Sequence, residues 1–197
     1  MSVSISVMNI IVKTASGRYI VRPDTTWERD SEDLFVPEFV NGLSWTPVLF
    51  ARISKPGRSI GERFGERYYD GIGYGVLLYP EEMLDGSEEG FACASCLDHT
   101  SFLPFPVIEK QPGFEGRFKL EAVKGDDARE LFTVDGAAPE TIRKAISEAT
   151  RFIYIRIGDL IAIELQPREH LCGREDFSIC MKGMFDGSTT LDFCIHY

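Results

Sequence analysis

A two-residue period of apolar side chains recurs along this chain and limits what it can fold into. Val3, Ile5 and Val7 alternate with Ser2, Ser4 and Ser6. Phe118, Leu120 and Ala122 repeat the pattern, as do Phe177, Ile179 and Met181, and then Leu191, Phe193 and Ile195. Alternation puts every second side chain on one face of a strand, so each segment predicts a strand with one buried face. Residues 3–13 and 18–21 read as strands around a turn at Ala15-Ser16-Gly17. Residues 45–53 form a β-rich run in which Pro47 marks an edge or an irregular start. Residues 74–79 form a short apolar run of the kind found in buried strands. Residues 131–134 supply a partner strand.

Helical periodicity is rarer. Ser59 followed by Glu62 has the spacing of a capping box, and Ile60, Phe64 and Tyr68 then recur at every fourth position. This predicts a short helix ended by Gly71 and Gly73. Residues 80–84 read as one helical turn with Pro80 at its first position. Residues 139–153 give the clearest helix, with Ile142, Ala145, Ile146, Ala149, Phe152 and Ile153 in the i, i+3, i+4 pattern and Glu140 near the N-terminal end of the dipole. After it, residues 154–157, Gly158-Asp159 and residues 160–165 read as strand, tight turn, strand. Residues 23–33, the acidic residues 85–90 and residues 91–106 read as irregular, and residues 112–116 as a turn. Many strands with two or three short helices give an α+β or mainly β fold.

The chain has 197 residues, of which 44% are hydrophobic. That suits a single domain over residues 1–197, with residues 1–20 as an N-terminal strand region. No apolar run approaches the roughly 18 residues of a membrane span, and the start lacks the features of a signal peptide. A cytoplasmic location without membrane contact follows as the expectation. The net charge of −10 and a pI of about 4.8 repel phosphate backbones, and the basic side chains of the first third are interleaved with acids. Nucleic acid is therefore disfavoured as a partner. The cysteines (Cys93, Cys96, Cys172, Cys180 and Cys194) are odd in number, and in a chain of this size they read as free thiols of a reducing compartment.

Four short strings carry a more specific pattern: "RPDT" from Arg22, "VPEF" from Val36, "ARI" from Ala51 and "SIGERFGERYYD" from Ser59. "IRIGDLIAIEL" then follows the helix of residues 139–153, starting at Ile155. This order resembles a bacterial branch of the fumarylacetoacetate hydrolase family. The resemblance implies a mixed, rolled β-sheet with a few helices, often a homodimer. It also implies metal-dependent C–C hydrolysis, decarboxylation or isomerisation of diketo or 2-oxo acids. In the family, a Glu-x-Glu pair on one strand and an Asp on a following strand hold Mg²⁺ or a similar hard cation. The resemblance assigns those positions to Thr46, Val48 and Leu77, and none is an acid. It assigns a family lysine to Ser95 and a substrate-facing glycine to Glu164. His99, His170 and His196 all come too late for the family's proton-transfer pair, whereas Arg22, Arg52 and Asp70 match like residues.

These departures predict no cofactor, and Mg²⁺ or Mn²⁺ would return only with acids from other positions. They predict a non-catalytic or strongly diverged protein that binds a small ligand or acts as an assembly partner. The alternative is a hydrolase, decarboxylase or isomerase of diketo or 2-oxo acids working through a rebuilt site, for which Asp98, His99, Cys96 and Glu81 are candidates. Cys93, Cys96 and His99 also make a partial zinc set that needs a fourth ligand, against the plainer reading of unliganded thiols beside a loop. Glu81-Glu82 and Glu88-Glu89 read as solvated surface rather than metal ligands. "GIGYG" at residues 71–75 lacks the third glycine and following helix of a dinucleotide site. Trp27, Phe35, Phe39, Trp45 and Phe50 read as core.

Overall fold

The computed structural model describes residues 9–109, 116–125, 127–136 and 139–197. In chain order, β1 (Ile10–Lys13) and β2 (Tyr19–Arg22) form a hairpin, followed by the two-residue strands β3 (Trp27–Glu28) and β4 (Leu34–Phe35). The long strands β5 (Gly42–Ile53) and β6 (Tyr69–Pro80) flank a one-turn helix α1 (Glu62–Gly65). Helix α2 (Glu88–Ala94) and the short strands β7 (Ser101–Phe102) and β8 (Ile108–Glu109) come next. After them are β9 (Arg117–Lys124), β10 (Asp127–Asp135) and helix α3 (Pro139–Ala149). The chain ends with β11 (Leu160–Glu164), β12 (Glu169–Gly173), β13 (Ser178–Phe185) and β14 (Ser188–His196).

Among the described residues a nine-stranded sheet runs β2-β1-β11-β5-β6-β7-β3, with β12 also pairing β5 and β8 also pairing β6. A second sheet of five strands runs β10-β9-β13-β14-β4. The first sheet is curled into a half-barrel, so its two faces meet different surroundings. Leu49 and Ala51 of β5, Val76 and Leu78 of β6 and Ile161 of β11 join the large core with α3 and the second sheet. Their neighbours Val48, Phe50, Leu77, Tyr79, Leu160 and Ala162 form a separate core inside the curl, with Ile10, Val12, Leu103 and Val107. Strands buried on both faces show little alternation, which is why β5 and β6 read as continuous apolar runs.

The mixed, mainly β architecture with three helices agrees with the sequence, but several local readings do not. The helix expected over residues 59–70 shrinks to α1. The Ser59 N–H donates to the Thr150 carbonyl (2.7 Å) and the Ile60 N–H to Thr150 Oγ1 (3.0 Å). These tertiary bonds hold Ser59 at φ 54°, so it cannot cap a helix, and the N-cap is Gly61. Gly71 and Gly73 lie inside β6 and end nothing. A Cβ at Gly73 would run into the Phe50 ring, and one at Gly75 into the Phe102 carbonyl oxygen. Residues 85–90 and 91–106 are more ordered than expected, because Ser87 caps α2 by accepting from the Gly90 N–H (2.9 Å).

Pro47 is not at a sheet edge. It sits where β5 changes partner from β12 to β11, so its missing N–H breaks no ladder bond, and its carbonyl accepts from Leu165 N–H (2.9 Å). Residues 154–157 make one bridge, Ile155 to Gly57, rather than a strand. The turn after it is as expected, with Gly158 at φ 95°. Cys180 and Cys194 stand directly opposite on β13 and β14 and form a disulfide, contrary to the reading of five free thiols, while Cys93, Cys96 and Cys172 remain free. The expected turn at residues 112–116 and the start of the first strand lie largely outside the described residues. Among the described residues no helix is long and apolar enough to cross a membrane.

Gly75 tests the close approach of β6 to β7. Gly75→Ala must displace backbone rather than a flexible side chain, so it is expected to destabilise the protein by about 1–3 kcal/mol. Urea unfolding measures this, and an unchanged midpoint would show that the two strands are not so tightly apposed.

Candidate functional site

Thr46, Val48 and Leu77 do come together. Thr46 is the register partner of Leu77, and Val48 points to the same face two residues along β5. All three are fully buried on the inner side of the curl. Val48 and Leu77 are packed into the inner core, each contributing about 1.5–3 kcal/mol of burial. Thr46 Oγ1 donates to the Gln166 carbonyl (2.8 Å). A hard divalent cation needs several anionic oxygens, and these three positions present none, so they do not fit such an ion.

An acid on this face is Glu164, the register partner of Val48 on β11. Both of its oxygens are engaged: Oε1 accepts from the Tyr79 hydroxyl (2.9 Å) and Oε2 from Ala15 N–H (2.8 Å). Behind Tyr79 lies Arg22, completely buried, its guanidinium 4.8 Å from the Tyr79 ring centre. Arg22 Nε donates to the Ser95 carbonyl (2.9 Å), and Nη2 donates to the Leu78 carbonyl (3.0 Å) and Thr100 Oγ1 (2.6 Å). Its Nη1 has no partner. Burial lowers the Arg22 pKa, opposed by the negative potential of Tyr79 and Glu164, and burial raises the Tyr79 pKa. An inner-core cation, a phenol and a carboxylate thus form one linked polar strip in an otherwise apolar curl.

The strip borders a cleft of about 1020 Å³. Its walls are the β1–β2 hairpin (residues 14–21), α2 with the residues around it, and the β11–β12 connection at Glu164, Pro167 and Arg168. Arg168 is exposed and lies 4.2 Å from the Phe91 ring centre and 5.1 Å from that of Tyr79. No carboxylate among the described residues pairs with it, so its donors stay available to a ligand. Arg18 and Glu88 also line the cleft and are ion-paired, tying the hairpin to α2. Such a cleft has a cationic fork resting on two aromatic rings, hydroxyls from Thr14, Ser16, Ser87 and Ser95, and an apolar floor. It can hold a small molecule that carries a carboxylate.

Of the other residues singled out from the sequence, some reach the cleft and some do not. Asp98 and His99 do not line the cleft, and His99 Nδ1 lies 3.2 Å from Glu28 Oε2. Ser95 does line it, but its hydroxyl donates back to the Phe91 carbonyl (2.7 Å). Cys96 also lines the cleft, its thiol donating to the Ala92 carbonyl (3.2 Å), and Cys93 and Cys96, exposed on and after α2, form no metal-ligating group with His99 among the described residues. Glu81 and Glu82 are not merely solvated. Glu81 accepts from Ser44 Oγ (2.5 Å) and faces His170 Nδ1 (3.0 Å), while Glu82 accepts from Asn41 and Gly42 N–H groups. Arg52 pairs with Asp70 at 2.7 Å, a structural tie between β5 and β6. Tyr79 and Arg168 were missed. Tyr79 read as one more core aromatic in an apolar run, and nothing in the local sequence distinguishes Arg168 from a surface arginine.

No family model matches the sequence, and no curated protein resembles it at the sequence level. Solved structures do match. Fumarylpyruvate hydrolase from Pseudomonas aeruginosa, in complex with Mn²⁺ and pyruvate, superposes with a TM-score of 0.78 at 15% identity, covering 96% of this chain and 90% of that one. A Yersinia pestis CO92 protein assigned to the fumarylacetoacetate hydrolase family gives 0.74 at 17%, covering 96% and 92%. A 2-hydroxyhepta-2,4-diene-1,7-dioate isomerase from Mycobacterium marinum gives 0.76 at 12%, covering 97% and 75%. The fold of this chain is that of the fumarylacetoacetate hydrolase family.

Glu164 and Tyr79 test the inner strip. Tyr79→Phe removes the donor to a nearly buried carboxylate, which should lower stability by about 1–3 kcal/mol in urea unfolding. Unchanged stability would mean that Glu164 does not depend on the phenol.

Proposed function

We propose that this chain is a fumarylacetoacetate-hydrolase-fold protein without the family's metal chemistry, which binds a small carboxylate-bearing molecule in the cleft beside Arg168. One contrast carries the reading. The positions that the resemblance assigns to metal ligands are a hydroxyl and two aliphatic side chains in packed core, whereas a guanidinium with no carboxylate partner among the described residues lines an open cleft. Pyruvate bound in the similar Pseudomonas aeruginosa structure is a ligand of the right kind: a small 2-oxo acid with one carboxylate. In this chain Arg168 would take the carboxylate through paired N–H donors, and Phe91 would cover the carbon skeleton.

The alternative of a rebuilt catalytic site has less behind it. Asp98 and His99 do not line the cleft, Glu81 is occupied by Ser44 and His170, and Cys96, which does line it, stands there without Asp98, His99 or Glu81.

Calorimetric titration tests the proposal with pyruvate, oxaloacetate and succinate as probes. Binding of at least one is expected, weakened about tenfold or more in Arg168→Ala, consistent with loss of a charge-assisted contact. Titration with Mg²⁺ or Mn²⁺ is expected to show no one-to-one site at Thr46, Val48 and Leu77. Turnover of oxaloacetate or an acylpyruvate by the purified chain, or a metal isotherm abolished by changing those three positions, would overturn the reading.

A further inference from the structure

A second group of chemically active side chains lies outside the lining of the cleft, on the outer face of the five-stranded sheet. Ile179, Met181, Leu191, Phe193 and Ile195 point into the core, so Cys180, Cys194 and His196 alternate outward. Cys194 is the register partner of Cys180 across the β13–β14 hairpin, and His196 is two residues further along the same face. β4 pairs parallel to β14 and places Asp33, the residue just before it, beside them. Asp33 Oδ1 accepts from the Cys194 N–H (2.7 Å), and Oδ2 lies 3.2 Å from His196 Nε2. The Phe35 ring is stacked on the imidazole at 5.1 Å, which limits its rotation.

The ligand atoms of Asp33, Cys194 and His196 all lie within 4.8 Å of one another. Cys180 lies outside that group of three, but its sulfur is bonded to that of Cys194 and so stands next to it. With the disulfide opened and the Cys180 thiolate swung in, two sulfurs, one imidazole nitrogen and one carboxylate oxygen would be a donor set suited to tetrahedral zinc and its chemical relatives. In the structure the sulfurs are bonded to each other, and a disulfide sulfur is a poor ligand compared with a thiolate. The next pair along the face, Lys182 opposite Asp192, carries one charge of each sign and leaves the local field to Asp33.

We propose that Cys180, Cys194, His196 and Asp33 form a thiol-gated site for a zinc-class divalent cation, closed while the disulfide stands and opened by reduction. A dithiol reductant supplies the two electrons and two protons. The Cys180–Cys194 bond breaks, two thiols form, and the dithiol is oxidised to its own disulfide. Cation binding then releases the two thiol protons and leaves both thiolates on the metal, with His196 and Asp33 completing the shell. Exchange with a disulfide oxidant, which takes up the two electrons and becomes a dithiol, reforms the Cys180–Cys194 bond and releases the metal. The site is independent of the cleft and of the proposed ligand there.

Cobalt(II) is the probe, because tetrahedral thiolate coordination gives it visible d–d bands and near-ultraviolet sulfur-to-metal charge transfer. The full chain is reduced with dithiothreitol, desalted without oxygen and titrated. One equivalent of tetrahedral cobalt with charge-transfer absorption is expected, displaced by zinc and missing from the unreduced protein. A Cys93→Ser/Cys96→Ser variant is expected to keep the signal. Cys194→Ser is expected to lose one thiolate's share of the charge transfer, and His196→Ala, on a part-exposed position that leaves the core intact, to bind at least tenfold more weakly. Absence of tetrahedral absorption in the reduced chain overturns the proposal. So does absorption that survives Cys194→Ser and His196→Ala unchanged but vanishes in the Cys93/Cys96 variant.

Discussion

The antiparallel pairing of β5 with β6 is the constraint on which the rest of the structure depends. The two strands are twelve residues long, and because neighbouring side chains alternate faces, one set enters the large core and the other enters the curl. Apart from the Arg52–Asp70 pair near one end, the side chains of both strands are buried, and a change to one alters a packed interior. The glycines of β6 belong to the same constraint, since Gly73 and Gly75 leave room for the Phe50 ring and the β7 backbone. The interior of the curl is therefore determined residue by residue, and at Thr46, Val48 and Leu77 it is closed by packing rather than left open around charge.

Polar chemistry inside the curl is concentrated in one linked strip. Arg22 keeps its charge in a buried position because two carbonyls and a hydroxyl accept from it and a tyrosine ring faces it. Glu164 is held by a phenol and a backbone amide rather than by a cation in direct contact. Such a network orients the neighbouring walls of the cleft, since moving any member strands a polar group away from water. Arg168, at the exposed end of this strip, has only aromatic rings beneath it. That makes it the member of the site whose donors a ligand can engage without breaking an existing bond.

Much of the architecture was legible because period-two alternation reports a one-sided strand directly. β9, β13 and β14 show it clearly. The stripe of Ile142, Ala145, Ile146 and Ala149 likewise marks the buried side of α3. The readings that failed depended on distant partners. Ser59-x-x-Glu62 has the spacing of a cap, but Thr150 from the end of the α3 region takes both nearby N–H groups. Pro47 looked like an edge residue because sequence does not reveal that β11 and β12 meet β5 on either side of it. Asp98 and His99 were adjacent and polar, yet the fold turns His99 toward Glu28 and away from the cleft.

The sequence alone determined the class of fold and the two kinds of core-facing pattern, because each depends on side-chain type and short spacing. Only the tertiary structure decided which polar residues share a site. Arg22, Tyr79 and the Glu164–Arg168 stretch lie on three segments far apart in sequence and meet because the sheet curls. Asp33, Cys180, Cys194 and His196 meet because β4 docks beside the β13–β14 hairpin. Contacts between residues far apart in sequence depend on register and curvature, and those are properties of the assembled sheet rather than of any local run of residues.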